Sequence, residues 1–258
     1  MKNHFIPVNT IDKARAFANS LDSEHLKRTQ LTKQNKDYIQ TMNVIESLQK
    51  QGWNLTGVCE ARDKKRITQS HYVKMFNPDF VMKENGKIEA ESNLIISNSV
   101  DGSSVLNVNL GVYRLICSNG AMRRDVMFDS KIKHNEEGQR KLTVVLDRVN
   151  NFTKLNIQKF ETYKYKLLDK KEMQELARQA LKIRFDHTSN IDFNQLLKVN
   201  RAEDEGNNLW LVYNRIQENL TKSNMIINAK GELISGTNSV KNDIYVNNQL
   251  TELVEKYM

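Results

Sequence analysis

Between residues 98 and 120 the chain reads NSVDGSSVLNVNLGVYRLICSNG, and this stretch restricts the fold more than any other. Leu106, Val108 and Leu110 alternate with Val105, Asn107 and Asn109. A two-residue period puts the first set on one side of a strand and the second on the other, so one face is expected to be buried. Upstream lies a second apolar run, Leu94-Ile95-Ile96, with Asp101-Gly102 between the two. Asp tolerates a tight turn and Gly supplies a positive φ, so the pair predicts a hairpin. Gly111 interrupts the alternation before Val112 to Cys117 resumes it, which predicts a bulge.

Earlier in the chain, Ile11 to Asn19 has a short helical pattern and Ser20 to Lys36 is polar with few apolar anchors. Thr41 to Gln51 reads as a helix, with Val44, Ile45 and Leu48 on one face and Gly52 placed for a left-handed cap. Trp53 follows at once and is expected to plug the junction between helix and sheet. Strands are predicted from Asn54, over Thr68 to Phe76 with Asn77-Pro78 closing it, and over Ile88 to Ser97 beyond an Asn85-Gly86 turn. With the central hairpin this makes about five consecutive strands joined by short turns, an antiparallel meander. Asn119-Gly120 is read as a further turn, and Met127-Phe128 as a candidate short strand.

From Arg140 the period changes. After a loop at His134 to Gly138, Leu142, Val145, Leu146, Val149 and Phe152 share one helical face, which Leu155, Phe160 and Tyr163 extend. Asp169 and Glu172 are spaced as a capping box for the next helix, whose stripe is Met173, Leu176, Ala177, Ala180 and Leu181. Phe193 to Leu197, Leu209 to Leu220 and Ile244 to Tyr257 complete a helical C-terminal part. The expected fold class is α+β: the meander packed by a long helix, then helices. The division expected is a polar N-terminal segment at 1–40, a core domain at 41–185 and a helical extension at 186–258 packed on it.

Charge is segregated along the chain. Residues 1–185 hold 32 Lys and Arg against 21 Asp and Glu, and residues 186–258 hold 7 against 10. Segregated positive charge favours a polyanionic partner, usually nucleic acid. Aromatic faces can stack on unpaired bases while Lys and Arg track phosphates. The candidate phosphate contacts are Arg62, Lys64, Lys65 and Arg66, with Arg123 and Arg124, at predicted strand ends or turns. Lys154, Lys159 and Lys164 form a second group, near Phe160, Tyr163 and Tyr165 on the long helix.

Other chemistries find little support. The five histidines are far apart and none has a second ligand at metal-binding spacing, so no metal or cofactor is expected. There is no phosphate-binding Gly-Lys-Ser/Thr loop, and Ser103-Ser104 precede a strand instead of the helix a hydrolase elbow requires. Cys59 and Cys117 read as buried, reduced thiols. The opening MKNHFIPVNT has no apolar core of a secretion signal, and no run approaches the ~18 apolar residues of a membrane span, so a cytoplasmic protein is expected.

Several pieces together resemble a known family, the phage/plasmid-related proteins (domain of unknown function, family nine-three-two), found on prophages and plasmids. They are Gly52-Trp53 after a helix, the His71 to Phe76 strand, and Asn98-Ser99 followed by Asp101-Gly102-Ser103-Ser104. Gly111, Tyr113-Arg114, Cys117, Asn119-Gly120 and Trp210 to Asn214 complete the match, which spans Val44 to Asn214. Family members often carry His where this chain has Val100, so chemistry needing that His is not expected here. The resemblance implies a phage or mobile-element setting and no established activity. At the level of fold, a Gly-Trp helix end, a meander and a long basic helix are also similar in order to Rad52-type single-strand annealing proteins. That likeness implies single-stranded DNA as partner and a ring-like homo-oligomer.

The function expected is non-enzymatic binding or annealing of single-stranded DNA in recombination or replication. The alternative is a protein-interaction module, an inhibitor of host defence or a virion component, suggested by the acidic C-terminal helices with their aromatics. An enzyme acting on nucleic acid ranks third.

Overall fold

The computed structural model describes residues 6–7, 38–60, 70–99, 104–114, 119–123, 131–185, 190–223 and 225–258. Among the described residues six strands form one antiparallel sheet in sequence order: β1 (Ile6–Pro7), β2 (Asn54–Glu60), β3 (Ser70–Glu84), β4 (Lys87–Ser99), β5 (Asn107–Arg114) and β6 (Asn119–Arg123). The meander is therefore present, with a two-residue strand added outside β2. The β3–β4 hairpin turns on Asn85 and Gly86, at φ 51° and 77°, the left-handed pair that matches the twist of two adjoining strands.

Three local expectations are corrected. Gly111 carries no bulge, because β5 pairs with β4 in unbroken register from Ala90↔Arg114 to Ser97↔Asn107, with Gly111 opposite Asn93. Asn119-Gly120 is not a turn but the start of β6, paired back to Arg114 and Tyr113. Nor does Asn77-Pro78 end its strand. β3 runs on to Glu84, and Pro78 falls where the register shifts between Phe76 and Val81, so its missing N–H breaks no ladder bond. The Asp101-Gly102 turn, the Ile11 to Asn19 pattern, Met127-Phe128 and Cys117 lie outside the described residues. Cys59 is in no disulfide and is half-buried.

Helix α1 (Thr41–Gln49) lies against one face of the sheet. Past its end stands Gly52, whose φ is +90° and where an added Cβ would come 3.1 Å from Asn77 Nδ2, so both backbone and space favour glycine. The Gln51 carbonyl accepts from Asn77 Nδ2 and Asn150 Nδ2, and the fully buried Trp53 donates from Nε1 to Asn150 Oδ1 at 2.8 Å. The long helix α2 (Glu136–Thr162) crosses the same face. It begins four residues before the expected start because the Asn135 side chain accepts from Gly138 N, with Glu136 and Glu137 in the favourable first turn. Val145, Leu146 and Val149 pack on Val73, Met75, Leu94, Ile96, Val108 and Leu110. Leu155 does not join this stripe. It is 53% exposed, and Asn156, Ile157 and Phe160 turn inward instead.

Helix α3 (Lys170–Arg184) has the full capping box of Asp169 and Glu172. After a 3₁₀ turn at Phe193–Leu197 come α4 (Leu209–Thr221) and α5 (Val240–Val254). Instead of the one-sided helix its spacing suggested, α4 is buried at every residue but Leu211. Its polar groups are accommodated inside. Glu218 takes the Arg201 guanidinium and Lys222, Asn219 Nδ2 donates to the carbonyls of Leu196 and Lys198, and Gln217 donates to Asn247. These helices share one apolar cluster with Met82, Ala90 and Val112 of the sheet.

Candidate functional site

The two faces of the sheet follow from the register. Val73, Ile96 and Val108 are mutual neighbours, as are Met75, Leu94 and Leu110, and these rows lie under α1 and α2. The intervening rows, Tyr72–Ser97–Asn107 and Lys74–Ile95–Asn109, point the other way. There the N-terminal half of α5 packs Val240 and Ile244 against Ile95. Burial pushes the Lys74 ammonium down, partly offset by Glu91. It also pushes the Tyr72 phenol up, with the Cys59 thiol adding to it.

A cleft of about 490 Å³ opens between this second face and α5. Tyr72, Ser97, Asn107 and Asn109 form the sheet side, Lys241, Ile244, Tyr245 and Asn248 the helix side, and Ser104, Val105 and Lys131 a third wall. Among the described residues, the lining has two lysines and no carboxylate. Tyr245 is 57% exposed, so its ring is open to a stacking partner.

One end of the cleft is built from the motif Asn98-Ser99 and Ser104 that the sequence singled out. Asn98 Nδ2 donates to the Ile39 carbonyl and to Thr41 Oγ1, both at 3.0 Å, and Thr41 Oγ1 meets His71 Nε2 at 2.8 Å. All three side chains are buried. Ser99 Oγ accepts from Ser104 N at 2.9 Å, and Tyr38 OH donates to the Ser99 carbonyl. His134 takes the Ile39 N–H on Nδ1 and donates from Nε2 to the Ser104 carbonyl. A backbone N–H can only donate and a carbonyl can only accept, so His134 is neutral with its proton on Nε2. The motif thus braces both ends of the Ser99–Ser104 connection at the rim of the cleft.

Of the cations proposed from sequence, Lys154, Lys159 and Lys164 have described side chains. Arg62, Lys64, Lys65, Arg66 and Arg124 lie outside the described residues. Arg123 ends β6, its backbone paired with Leu110. Lys154 is exposed on α2 with no ion-pair partner among the described residues. Lys159 instead bonds Glu255 at 2.7 Å. Lys164 pairs with the buried Glu89, which also accepts from Trp210 Nε1 at 2.7 Å. Lys159 and Lys164 thus tie the long helix and its end to the C-terminal turn and to β4. Conversely, the cleft lysines were not singled out. Asn107 and Asn109 did carry a signal: two asparagines at outward positions of a strand, where this residue type is disfavoured. For Lys131, Lys241 and Tyr245 no local pattern existed, because they converge only through the packing of α5. Among the described residues no group of three or more His, Cys, Asp or Glu could hold a metal ion, and no helix is long and apolar enough to cross a membrane.

Taken together, fold and site define an α+β protein with a helix-backed meander and a polar, cationic cleft on the sheet's second face. The chain belongs to a family known as a domain of unknown function (DUF932), whose model matches residues 31–250. It is similar to the UPF0380 protein YafZ of Escherichia coli strain K12, 30% identical over 206 residues that cover 75% of this chain and 71% of the relative. The UPF0380 protein YfjQ of the same strain matches with the same identity and coverage. No solved structure matches.

Proposed function

We propose that the chain is a non-enzymatic, phage-encoded protein that binds single-stranded DNA during recombination or replication in the bacterial cytoplasm, with the strand held in the cleft between the sheet and α5. The observation that carries this reading is the lining: Lys131 and Lys241 on the walls, amide and hydroxyl groups on the floor, and the open ring of Tyr245. Positive charge for phosphate beside an aromatic face for a base is the combination unpaired strands use. The cleft is of small-ligand size, room for roughly one or two nucleotide units. The net charge of +8 adds long-range attraction. Labelled 20-mer oligonucleotides titrated at ~50 and ~200 mM salt should lose about tenfold or more in affinity at the higher value. Absence of binding at the lower salt refutes the reading.

One feature favours a protein partner instead. Val144 and Leu155 on α2 are 48% and 53% exposed and, at helical spacing, share one outward stripe. A specific host protein retained from nuclease-treated lysate by the native chain, and lost from a Val144→Glu/Leu155→Glu variant, would support that alternative.

A further inference from the structure

We infer that the cleft discriminates among bases, preferring those that carry an exocyclic amine, through the side-chain oxygens of Asn107 and Asn109. The inference rests on the reading of the cleft as a single-strand site and adds what that site selects.

The orientation of both amides is settled by their neighbours. Asn107 Nδ2 donates to the Val105 carbonyl at 3.1 Å and to Ser97 Oγ at 3.3 Å. Asn109 Nδ2 donates to the Ile95 carbonyl at 3.4 Å. A backbone carbonyl cannot donate, so the NH₂ end of each amide must face the sheet. Both amide hydrogens of Asn107 are engaged, so what it offers a ligand is Oδ1, an acceptor, and Asn109 offers Oδ1 together with its second N–H. The two residues lie on the cleft side of β5, two apart and facing the same way. The floor thus presents paired acceptors, beside lysines suited to a phosphate and a tyrosine suited to any base face.

Acceptors select donors. Cytosine carries an N4 amine and adenine an N6 amine, whereas thymine and uracil place a carbonyl oxygen at the corresponding position. A carbonyl set against Asn Oδ1 leaves two acceptors facing each other without a proton. Stacking on Tyr245 does not distinguish the bases, and with Lys131 and Lys241 assigned to phosphate, the floor amides Asn107 and Asn109 are the groups placed to meet a base edge.

The test compares 12-mers of dC, dU and dT, which differ at C4, in the N3 proton that dU and dT carry and in the thymine methyl, by anisotropy with the full chain. The dC strand should bind about tenfold tighter than dU and dT, with dU and dT alike. Asn107→Leu and Asn109→Leu, made singly and together, should erase the difference between dC and dT. Tyr245→Ala should weaken all three strands equally. Equal binding of the three strands by the native chain overturns the inference and leaves single-strand binding standing. Failure of all three to bind removes the underlying reading. Preference for dC that survives in a folded double variant places base reading elsewhere and also overturns the inference. The native comparison decides the question even if a variant fails to fold.

Discussion

The two faces of the sheet come from the same strands and do opposite things. Under α1 and α2, Val73, Met75, Leu94, Ile96, Val108 and Leu110 are sealed, none more than 2% exposed. On the other face, Tyr72, Ser97, Asn107 and Asn109 stay partly open, while Ile95 is closed off by Val240 and Ile244. Alternation lets one stretch of chain specify a dry face that makes the fold and a wet face that is free to bind. The lesson is that substitutions one residue apart should separate stability from binding.

The sharpest break comes from the dry face. Leu94→Ala should cost about 3–5 kcal/mol in urea denaturation, while any folded fraction keeps native affinity for single strands. Next is Lys164→Ala, which strips the cation from a Glu89 carboxylate whose side chain is 5% exposed. The loss should be about 3 kcal/mol, again with unchanged DNA affinity. A fall in affinity without a fall in stability would return Lys164 to the binding surface.

A pH titration sharpens the same contrast. Burial would raise the Glu218 carboxyl, but the bonds from Lys222 and Arg201 outweigh it and hold the group below its ordinary value. A depressed folded pKa means the stabilisation is complete above the unfolded carboxylate value and is lost as pH falls through the folded one. Glu218→Gln should cost about 2 kcal/mol at neutral pH and flatten that acid limb, with no effect on binding. The smallest stability effect belongs to the wet face. Lys241→Ala should change stability by less than about 0.5 kcal/mol, yet weaken single strands several-fold and reduce the salt slope by about 0.7.

Periodicity made the dry face legible. Leu106, Val108 and Leu110 announced their side of β5, and Gly52-Trp53 and the capping box at Asp169 announced element ends, because each is set by neighbours close in sequence. Where the reading failed, a tertiary partner decided. Gly111 stays in register because β4 and β6 hold it on both sides. Although its spacing looked one-sided, α4 is enclosed because other helices surround its polar residues. The ion pairs of Lys159 and Lys164 were not legible, because Glu255 and Glu89 are 96 and 75 residues away in the chain. The cleft was half visible, in the outward asparagines of β5, and its other half is set by where α5 lands.

Photocrosslinking tests the central claim most directly. A 12-mer carrying 5-iododeoxycytidine, irradiated with the full chain and mapped by mass spectrometry, should give adducts on Tyr245 or Tyr72. Adducts confined to the outer stripe of α2, around Val144, Lys154 and Leu155, would contradict the assignment of the second face of the sheet as the binding face.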